Sequence, residues 1–300
     1  MSINSVKVRP SSFFGLKKVV FDRRFEKRPE TAPYNNGEPL DFVHPIGRII
    51  SATSYGGPRS KYRINEDSYF TGATKNGALI AGVIDGAGGS LSGYLASLYA
   101  NERLSEMLMK GSGVFDAFME AHALIRERAC GAYASAVVIQ IDKLLNVFLG
   151  SKGDSKAITL RGGKILGEGT TRMENLVSER VEQGLIRSED FYNSPEKNII
   201  TGAIGYGHGL PLQTAFRAKP GDRIILASDG VWDLVSEFEI LRAAQAKTGM
   251  ELEEYLFDLA YARNNAQAPF MIQMSPDSEV LVDPPHAADN ITIQIVFLCP

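Results

Sequence analysis

The sequence is poor in the residues that build disulfide frameworks and zinc sites. It has only 2 cysteines and 4 histidines in 300 residues, without the paired Cys/His spacing of a zinc site. Apolar runs stay well below the roughly 18 residues of a membrane-spanning helix, and a signal-peptide pattern is absent near the N-terminus. This cysteine usage suits a reducing compartment, so the default expectation is a cytoplasmic protein.

The sequence also lacks a strong excess of charge of either sign. Its formal net charge is −3, with 44% hydrophobic and 22% charged residues. These values are typical of a globular protein and provide no electrostatic argument for nucleic-acid binding. A chain of 300 residues fits one large domain or two small ones and can bury a sizeable core.

The first 45 residues differ in composition from the rest. Lysines and arginines alternate there with phenylalanines and valines, and a stretch rich in prolines and turn residues follows. We predict a basic, aromatic N-terminal extension with a Pro-rich linker over 1–45, and one folded domain over 46–300. Two interpretations of the extension stay open, since it could dock on a partner or anionic membrane, or pack on its own domain.

From residue 46 onward, the pattern predicts many strands and two pairs of helices. The predicted helices cover 94–110, 115–129, 236–247 and 252–264, and a further polar helix covers 172–192. Three predicted strands between 132 and 165 form an antiparallel meander. Hairpins combined with helix pairs favour an α+β fold of sheets covered by helices over a doubly wound parallel sheet.

Aspartates recur at the predicted ends of strands. In LIAGVIDGAGG, Asp85 ends an apolar run, and in RIILASDG, Asp229 does the same. Asp67, Asp154 and Asp289 lie at similar positions, although each alone could be a turn or cap residue. Five carboxylates at one rim of a β core are tolerable only around multivalent cations, and all-oxygen ligands favour Mg²⁺ or Mn²⁺.

These motifs, in their order, resemble those of the metal-dependent protein phosphatases, the PPM or type 2C family. The matching segments are NED (65–67), DGAGG (85–89), GDSKAITLRGGKI (153–165), GDRIILASDGVWDLVS (221–236) and DNITI (289–293). Residues 175–205 are also similar to the corresponding segment of bacterial members. The resemblance implies a four-layer sandwich, in which two antiparallel sheets lie between pairs of antiparallel helices with metals at one end.

The resemblance further implies hydrolysis of phosphoserine and phosphothreonine on proteins by a metal-activated water, in opposition to a Ser/Thr kinase. It implies two Mg²⁺ or Mn²⁺ ions and a possible third. The implied metal-site residues are Asp67, Asp85, Asp229 and Asp289 as catalytic ligands, the Gly86 carbonyl, Glu66 through a water, and Asp154 at the third ion.

Two departures from the family pattern concern the substrate phosphate. Tyr62 occupies the usual place of the phosphate-binding arginine, so Arg63 is the candidate, with Arg59 in reserve. Ala87 stands where many eukaryotic members have a histidine, which leaves water, His208 or His286 as candidate proton donors.

A third departure is the long segment 264–288, which leads directly into Asp289. It could form a substrate lip over the metal site or a packed cover for the last helix.

Rival functions fit the residues less well. A dinucleotide-binding loop would need glycine where Leu91 stands, and Cys130 lies outside a Cys-x5-Arg loop. The alternative that stays open is a catalytically inactive, phosphatase-like binding or scaffold module. Such a module typically lacks one or more metal acids, whereas here every matching acid is present.

Overall fold

The computed structural model describes residues 20–21, 40–60, 64–88, 91–129 and 131–299, and in them fourteen strands form two six-stranded sheets and one hairpin. In spatial order, the first sheet contains β1 (Val20–Phe21), β4 (Asp67–Ala73), β5 (Leu79–Ala87), β6 (Tyr133–Ile141), β7 (Asn146–Lys152) and β10 (Leu212–Arg217). The second contains β2 (Leu40–His44), β3 (Gly47–Ser54), β14 (Ile291–Leu298), β11 (Arg223–Ala227), β8 (Lys156–Arg161) and β9 (Lys164–Leu166). The hairpin consists of β12 (Phe270–Ser275) and β13 (Ser278–Val282).

Most of the helical residues belong to two pairs of long helices. The α-helices are α1 (Leu91–Met109), α2 (Val114–Arg128), α3 (Leu176–Glu182), α4 (Asp229–Trp232), α5 (Glu237–Ala246) and α6 (Met250–Asn264). Short 3₁₀ helices cover Gly167–Gly169 and Ser188–Phe191. Within the described residues, none of the helices has a stretch long and apolar enough to span a bilayer.

Three clusters of buried apolar side chains lie between the layers. One packs α1 and α2 against the first sheet and includes Leu104 and Phe118. A second fills the space between the sheets, with Val83 from the first sheet and Val296 from the second. A third packs α4, α5 and α6 against the second sheet. The α+β class and the antiparallel sheets flanked by helices are confirmed, and the clusters support the four-layer order.

Two edge strands come from the residues predicted as an extension. β1 pairs with β4, and β2 pairs with β3, both antiparallel. The second sheet therefore includes residues from Leu40 onward, before the predicted domain start at 46. The rest of the extension, with the basic residues predicted to dock a partner, lies outside the described residues.

The predicted polar helix over 172–192 is wrong in length. Only α3 and the later 3₁₀ turn are helical, and they are separated at Gly184, which has a φ of 70°. The amide of Leu185 donates to the carbonyl of Arg180 at 2.9 Å, which closes the helix end around this left-handed residue.

The segment predicted as a long loop before Asp289 contains the β12–β13 hairpin, which packs on α5. Both terminal nitrogens of Arg263 donate to the Glu239 carboxylate at 2.7 Å, and Nη2 also donates to the carbonyl of Met271 at 2.6 Å. Glu239 Oε1 accepts a further hydrogen bond from the amide of Gln273 at 3.0 Å. A largely buried ion pair thus fastens the hairpin to the helices.

The cluster between the sheets gives a direct test of the packing. Leu149 on β7 is 1% exposed, whereas Leu144 in the turn before it is 65% exposed. We expect Leu149→Ala to lower the free energy of unfolding by about 2–5 kcal/mol, because it removes buried methyl groups and leaves a cavity. The control Leu144→Ala changes it by less than about 0.5 kcal/mol. Urea denaturation measures both, and equal effects would contradict the assigned core.

Candidate metal centre

The five aspartates predicted as metal ligands lie at strand ends in the structure. Asp67 begins β4 and is the direct cross-strand partner of Asp85 near the end of β5. Asp154 lies between β7 and β8, Asp229 begins α4 directly after β11, and Asp289 precedes β14. Residues far apart in sequence are therefore positioned by adjacent strands of the two packed sheets.

Three of the five carboxylates are close enough to bind one ion. Ligand oxygens of Asp85, Asp154 and Asp229 all lie within 4.8 Å of one another. Asp154 is only 2% exposed, and Asp67, opposite Asp85, is 7% exposed. Like charges this close and this buried favour protonation or cation binding.

The pKa values of the site aspartates reflect this repulsion between buried carboxylates. Burial raises the pKa of Asp67 and of Asp154 to about 7 in the cation-free protein. Burial, followed by the neighbouring carboxylates, raises the pKa of Asp85 and of Asp229 well above the usual range. The charge of Asp289 contributes to the raised pKa of all four, so the five aspartates form one electrostatic unit.

Asp67 is held by a chain of buried hydroxyl groups. Ser228 Oγ and Thr292 Oγ1 both donate to Asp67 Oδ2, at 2.8 and 2.7 Å. The Thr292 and Thr53 hydroxyls are 2.7 Å apart, and Asn65 Nδ2 donates to Thr53 at 2.7 Å. Because Thr292 gives its proton to Asp67, Thr53 donates to Thr292. This chain fixes the orientation of the carboxylate.

The donor atoms that remain fit divalent cations. Asp67 Oδ1 and Asp154 Oδ1 are buried and have no hydrogen-bond partner among the residues that the structure describes. A buried carboxylate oxygen without a donor is costly unless a cation neutralises it. Since all these ligands are oxygens, the set suits Mg²⁺ or Mn²⁺.

Gly86 and Glu66 lie against the first turn of α1. A Cβ on Gly86 would lie 2.0 Å from the carbonyl oxygen of Gly93, so only glycine fits there. A Cβ on Gly93 would in turn lie 2.7 Å from the Gly86 carbonyl oxygen and 2.3 Å from Glu66 Oε2. Bare backbone at both positions brings the predicted carbonyl ligand and the predicted water-binding carboxylate to one place.

Asn290 and Asn264 fix the loop that carries Asp289. Asn290 Oδ1 accepts from the amide of Glu66 at 2.8 Å, and the Asn290 amide donates to Asp289 Oδ1 at 2.8 Å. Asn264 on α6 bonds both the amide and the carbonyl of Asp289, at 3.1 and 2.9 Å. Asn290 thus links the backbone of Glu66 to the loop that carries Asp289.

The two arginines considered for phosphate differ in what the structure shows. Arg63 lies in the short gap at 61–63, outside the described residues. The guanidinium of Arg59 donates to the carbonyls of Ala266 and Pro285, the latter at 2.6 Å. Arg59 therefore clamps both ends of the hairpin segment, and this engagement argues against its reserve role as a phosphate ligand.

Sequence reasoning missed Asp233 and Lys197. The negative charge of Asp233 contributes to the raised pKa of Asp154 and of Asp229, and Lys197 Nζ lies 3.0 Å from Asp233 Oδ2. In DGVWD, Asp233 follows Asp229 by four residues, about one helical turn. This spacing could have indicated that the two side chains lie on the same side of a helix. No local pattern indicated the contact with Lys197.

The raised pKa values predict how stability depends on pH. Folded values of about 7 for Asp67 and Asp154 lie above the unfolded value of about 3.9, so the folded protein holds extra protons between them. This contribution to stability is complete below about pH 4 and is lost as pH rises through about 7. We expect Mn²⁺, which replaces these protons, to raise Tm more at about pH 7.5 than at about pH 5.5.

Thermal scans with EDTA or Mn²⁺ at both pH values measure this effect. In the control Asp277→Asn, which alters an exposed hairpin carboxylate, the Mn²⁺ shift is unchanged. An equal Mn²⁺ shift at the two pH values would rule out the proton-for-cation exchange.

The hydroxyl chain behind Asp67 generates a second prediction. Thr292→Val keeps the size of the side chain but removes one donor to Asp67 Oδ2, so we expect Mn²⁺ affinity to fall by about 10- to 100-fold. Thr214→Val is the matched control. Thr214 lies on the edge strand β10, and its hydroxyl donates to the carbonyl of Glu168, which is not one of the site residues. Isothermal titration with Mn²⁺ compares them, and unchanged affinity in Thr292→Val would refute the role of this hydrogen bond.

The known proteins that this chain resembles in sequence include bacterial serine/threonine phosphatases. No family model matches the sequence. The serine/threonine protein phosphatase PstP of Mycobacterium tuberculosis H37Rv is 29% identical over 212 residues, which make up 65% of this chain and 39% of PstP. The serine/threonine phosphatase stp of Listeria monocytogenes EGD-e is 26% identical over 200 residues, 61% of this chain and 78% of stp. The chain thus spans well under half of PstP.

Solved structures show the same fold. The catalytic domain of PstP in complex with two manganese ions matches with a TM-score of 0.66 and 23% identity, over 85% of this chain and 99% of that one. Stp1 of Staphylococcus aureus matches with a TM-score of 0.68 and 20% identity, over 87% and 98%. Five motifs in order, two packed antiparallel sheets and these relatives agree, and the chain is similar in sequence and in fold to bacterial serine/threonine phosphatases of the PPM type.

Proposed function

We propose that this protein hydrolyses phosphoserine and phosphothreonine monoesters on proteins, with Mg²⁺ or Mn²⁺ bound at the carboxylate centre. The observation that carries the proposal is the convergence of Asp85, Asp154 and Asp229, whose ligand oxygens lie within 4.8 Å of one another in a largely buried site. The phosphatases among the relatives and the two manganese ions of the PstP structure support the same chemistry.

The chain's own acids would hold the cations. Asp67, Asp85, Asp229 and Asp289, with the Gly86 carbonyl, are the proposed ligands of two ions; Asp154 shares the proposed third ion with Asp229, and Glu66 holds a coordinated water. When bound, such ions make water nucleophilic near neutral pH and stabilise the charge of a phosphoryl group. The unpartnered Oδ1 atoms of Asp67 and Asp154 support this arrangement.

The remaining residues would position the substrate. We assign Arg63 to the phosphate, because a guanidinium can bind two phosphoryl oxygens at once and Arg59 is engaged by the hairpin segment. The bare backbone at Gly86 lets α1 pack closely against this end of β5 and leaves the Gly86 carbonyl beside the acids. Since Ala87 has no proton to give, water protonates the leaving alkoxide, or a side chain from outside this loop does so.

This activity requires a phosphoprotein, so the protein would oppose a Ser/Thr kinase. We place it in the cytoplasm, where reduced cysteines suit its content of only 2. The phosphatase domain would include the strand from Leu40 onward, and the basic extension before it would dock a partner.

An inactive scaffold of the same fold is the competing function. It would tolerate loss of the acids, whereas all five are present and share one electrostatic site. Nothing in the described residues favours it.

The activity test is hydrolysis of p-nitrophenyl phosphate and of a phosphoserine peptide, with Mn²⁺ or with EDTA. We expect hydrolysis only with Mn²⁺ or Mg²⁺. We also expect the activity of Asp85→Asn and of Asp229→Asn to fall below about 1% of the wild-type activity, since each variant loses the charge of one metal ligand.

Asp277→Asn makes the same chemical change at an exposed position and should keep full activity. Activity that survives EDTA, or that persists in both site variants, would contradict the metal-dependent mechanism. Cation binding without hydrolysis of either substrate would support the scaffold instead.

A further inference from the structure

Tyr133 lies on the same face of the first sheet as Asp85. Asp85 pairs with Ser135 across β5 and β6, and Ala87 pairs with Tyr133. Residues two apart on a strand share a face, so Tyr133 is a diagonal neighbour of Asp85, at about 7–8 Å between Cα atoms. Tyr133 is partly exposed and is the first residue of β6, opposite Ala87 at the end of β5.

A second tyrosine is held against the first. The rings of Tyr133 and Tyr206 have centroids 6.1 Å apart and are tilted by 46°. Tyr206 is 60% exposed. The two rings form one surface, which we call the tyrosine pair.

The loop that carries Tyr206 is held in place by contacts with β6 and α2. Ile204 bridges to Ala134, and the amide of Gly205 donates to Nδ1 of the buried His122 at 3.0 Å. Gly209 lies over the same imidazole, where a Cβ would come within 2.1 Å of Nδ1. Gly205 and Gly209 have φ angles of 92° and 66°, which other residues rarely adopt. The exposed ring of Tyr206 thus belongs to a loop that these contacts hold in place.

We propose that the tyrosine pair is a specificity-determining surface for the phosphatase, one that binds an aromatic side chain within two residues of the substrate phosphoserine. The inference rests on the proposed function, because it places the phosphoryl group at the carboxylate centre. It concerns the tyrosine pair alone and assigns no chemistry to the tyrosine hydroxyls.

Distance and chemistry both support this choice of partner. An extended peptide advances about 3.3–3.6 Å per residue, so a side chain one or two residues from the phosphoserine spans the step from Asp85 to Tyr133. Aromatic rings attract one another in tilted or offset arrangements with centroids about 4.5–7 Å apart. The existing pair already has this geometry and leaves most of Tyr206 open to a third ring.

The test uses the full chain with Mn²⁺ and phosphoserine peptides of one length that carry Phe, Ala or Arg within two residues of the phosphoserine. Free O-phosphoserine serves as a substrate without flanking side chains. We expect kcat/KM for the Phe peptide to exceed that for the Ala peptide by about 2- to 10-fold, the range of one aromatic contact.

Three variants locate the effect. Tyr206→Ser should abolish the Phe preference and keep activity on O-phosphoserine, whereas Tyr206→Phe should keep the preference. The matched control Tyr255→Ser removes a tyrosine that is 43% exposed on α6 and should change neither.

Equal kcat/KM for the Phe and Ala peptides, or a preference that survives Tyr206→Ser, would overturn the inference while leaving the phosphatase activity intact. A higher kcat/KM for the Arg peptide than for the Phe peptide would also overturn it, because the surface would then recognise a cation. Absence of hydrolysis of every substrate, O-phosphoserine included, is the distinct outcome that rejects the proposed function itself.

Discussion

Repulsion among buried carboxylates is the constraint on which the rest of this structure depends. The packed sheets bring Asp67, Asp85, Asp154 and Asp229 together with few competing donors, and burial raises the pKa of each. Without a cation, the fold can relieve this repulsion only by holding protons. The same arrangement that opposes folding of the cation-free protein at neutral pH makes the site selective for multivalent cations.

The surrounding structure holds the acids in place against that repulsion. Hydroxyls of Ser228 and Thr292 occupy one oxygen of Asp67 and leave the other for a ligand. The side chain of Asn290 joins the backbone of Glu66 to the loop of Asp289. These contacts link strands from both sheets, so formation of the site and packing of the sheets depend on each other.

Two surfaces outside the carboxylate cluster, the β12–β13 hairpin and the tyrosine pair, are held by contacts of their own. The β12–β13 hairpin is held by backbone hydrogen bonds to Arg263 on α6 and Glu239 on α5, and Arg59 bonds the carbonyls on either side of it. The tyrosine pair stands on the opposite sheet, on a loop held by His122. Either surface can vary without disturbing the carboxylates, because neither contributes a ligand.

Much of the fold and of the candidate site could be predicted from the sequence, because both depend on local signals. Alternation and helical spacing predicted most strands and both long helix pairs. The repeated strand–Asp–Gly pattern identified Asp85 and Asp229, two of the three acids whose ligand oxygens converge. The helix over 172–192 was too long because local polarity concealed the break at Gly184. The β12–β13 hairpin was missed because its pattern is short and its stability comes from contacts with Glu239 and Arg263. Only the tertiary structure placed Ser228 and Thr292 beside Asp67, Lys197 beside Asp233, and Tyr206 beside Tyr133. Such contacts join residues that are distant in the chain and leave no local periodicity. The sequence by itself thus determined which residues bear the charge, and the packing of the two sheets decided how close those charges come.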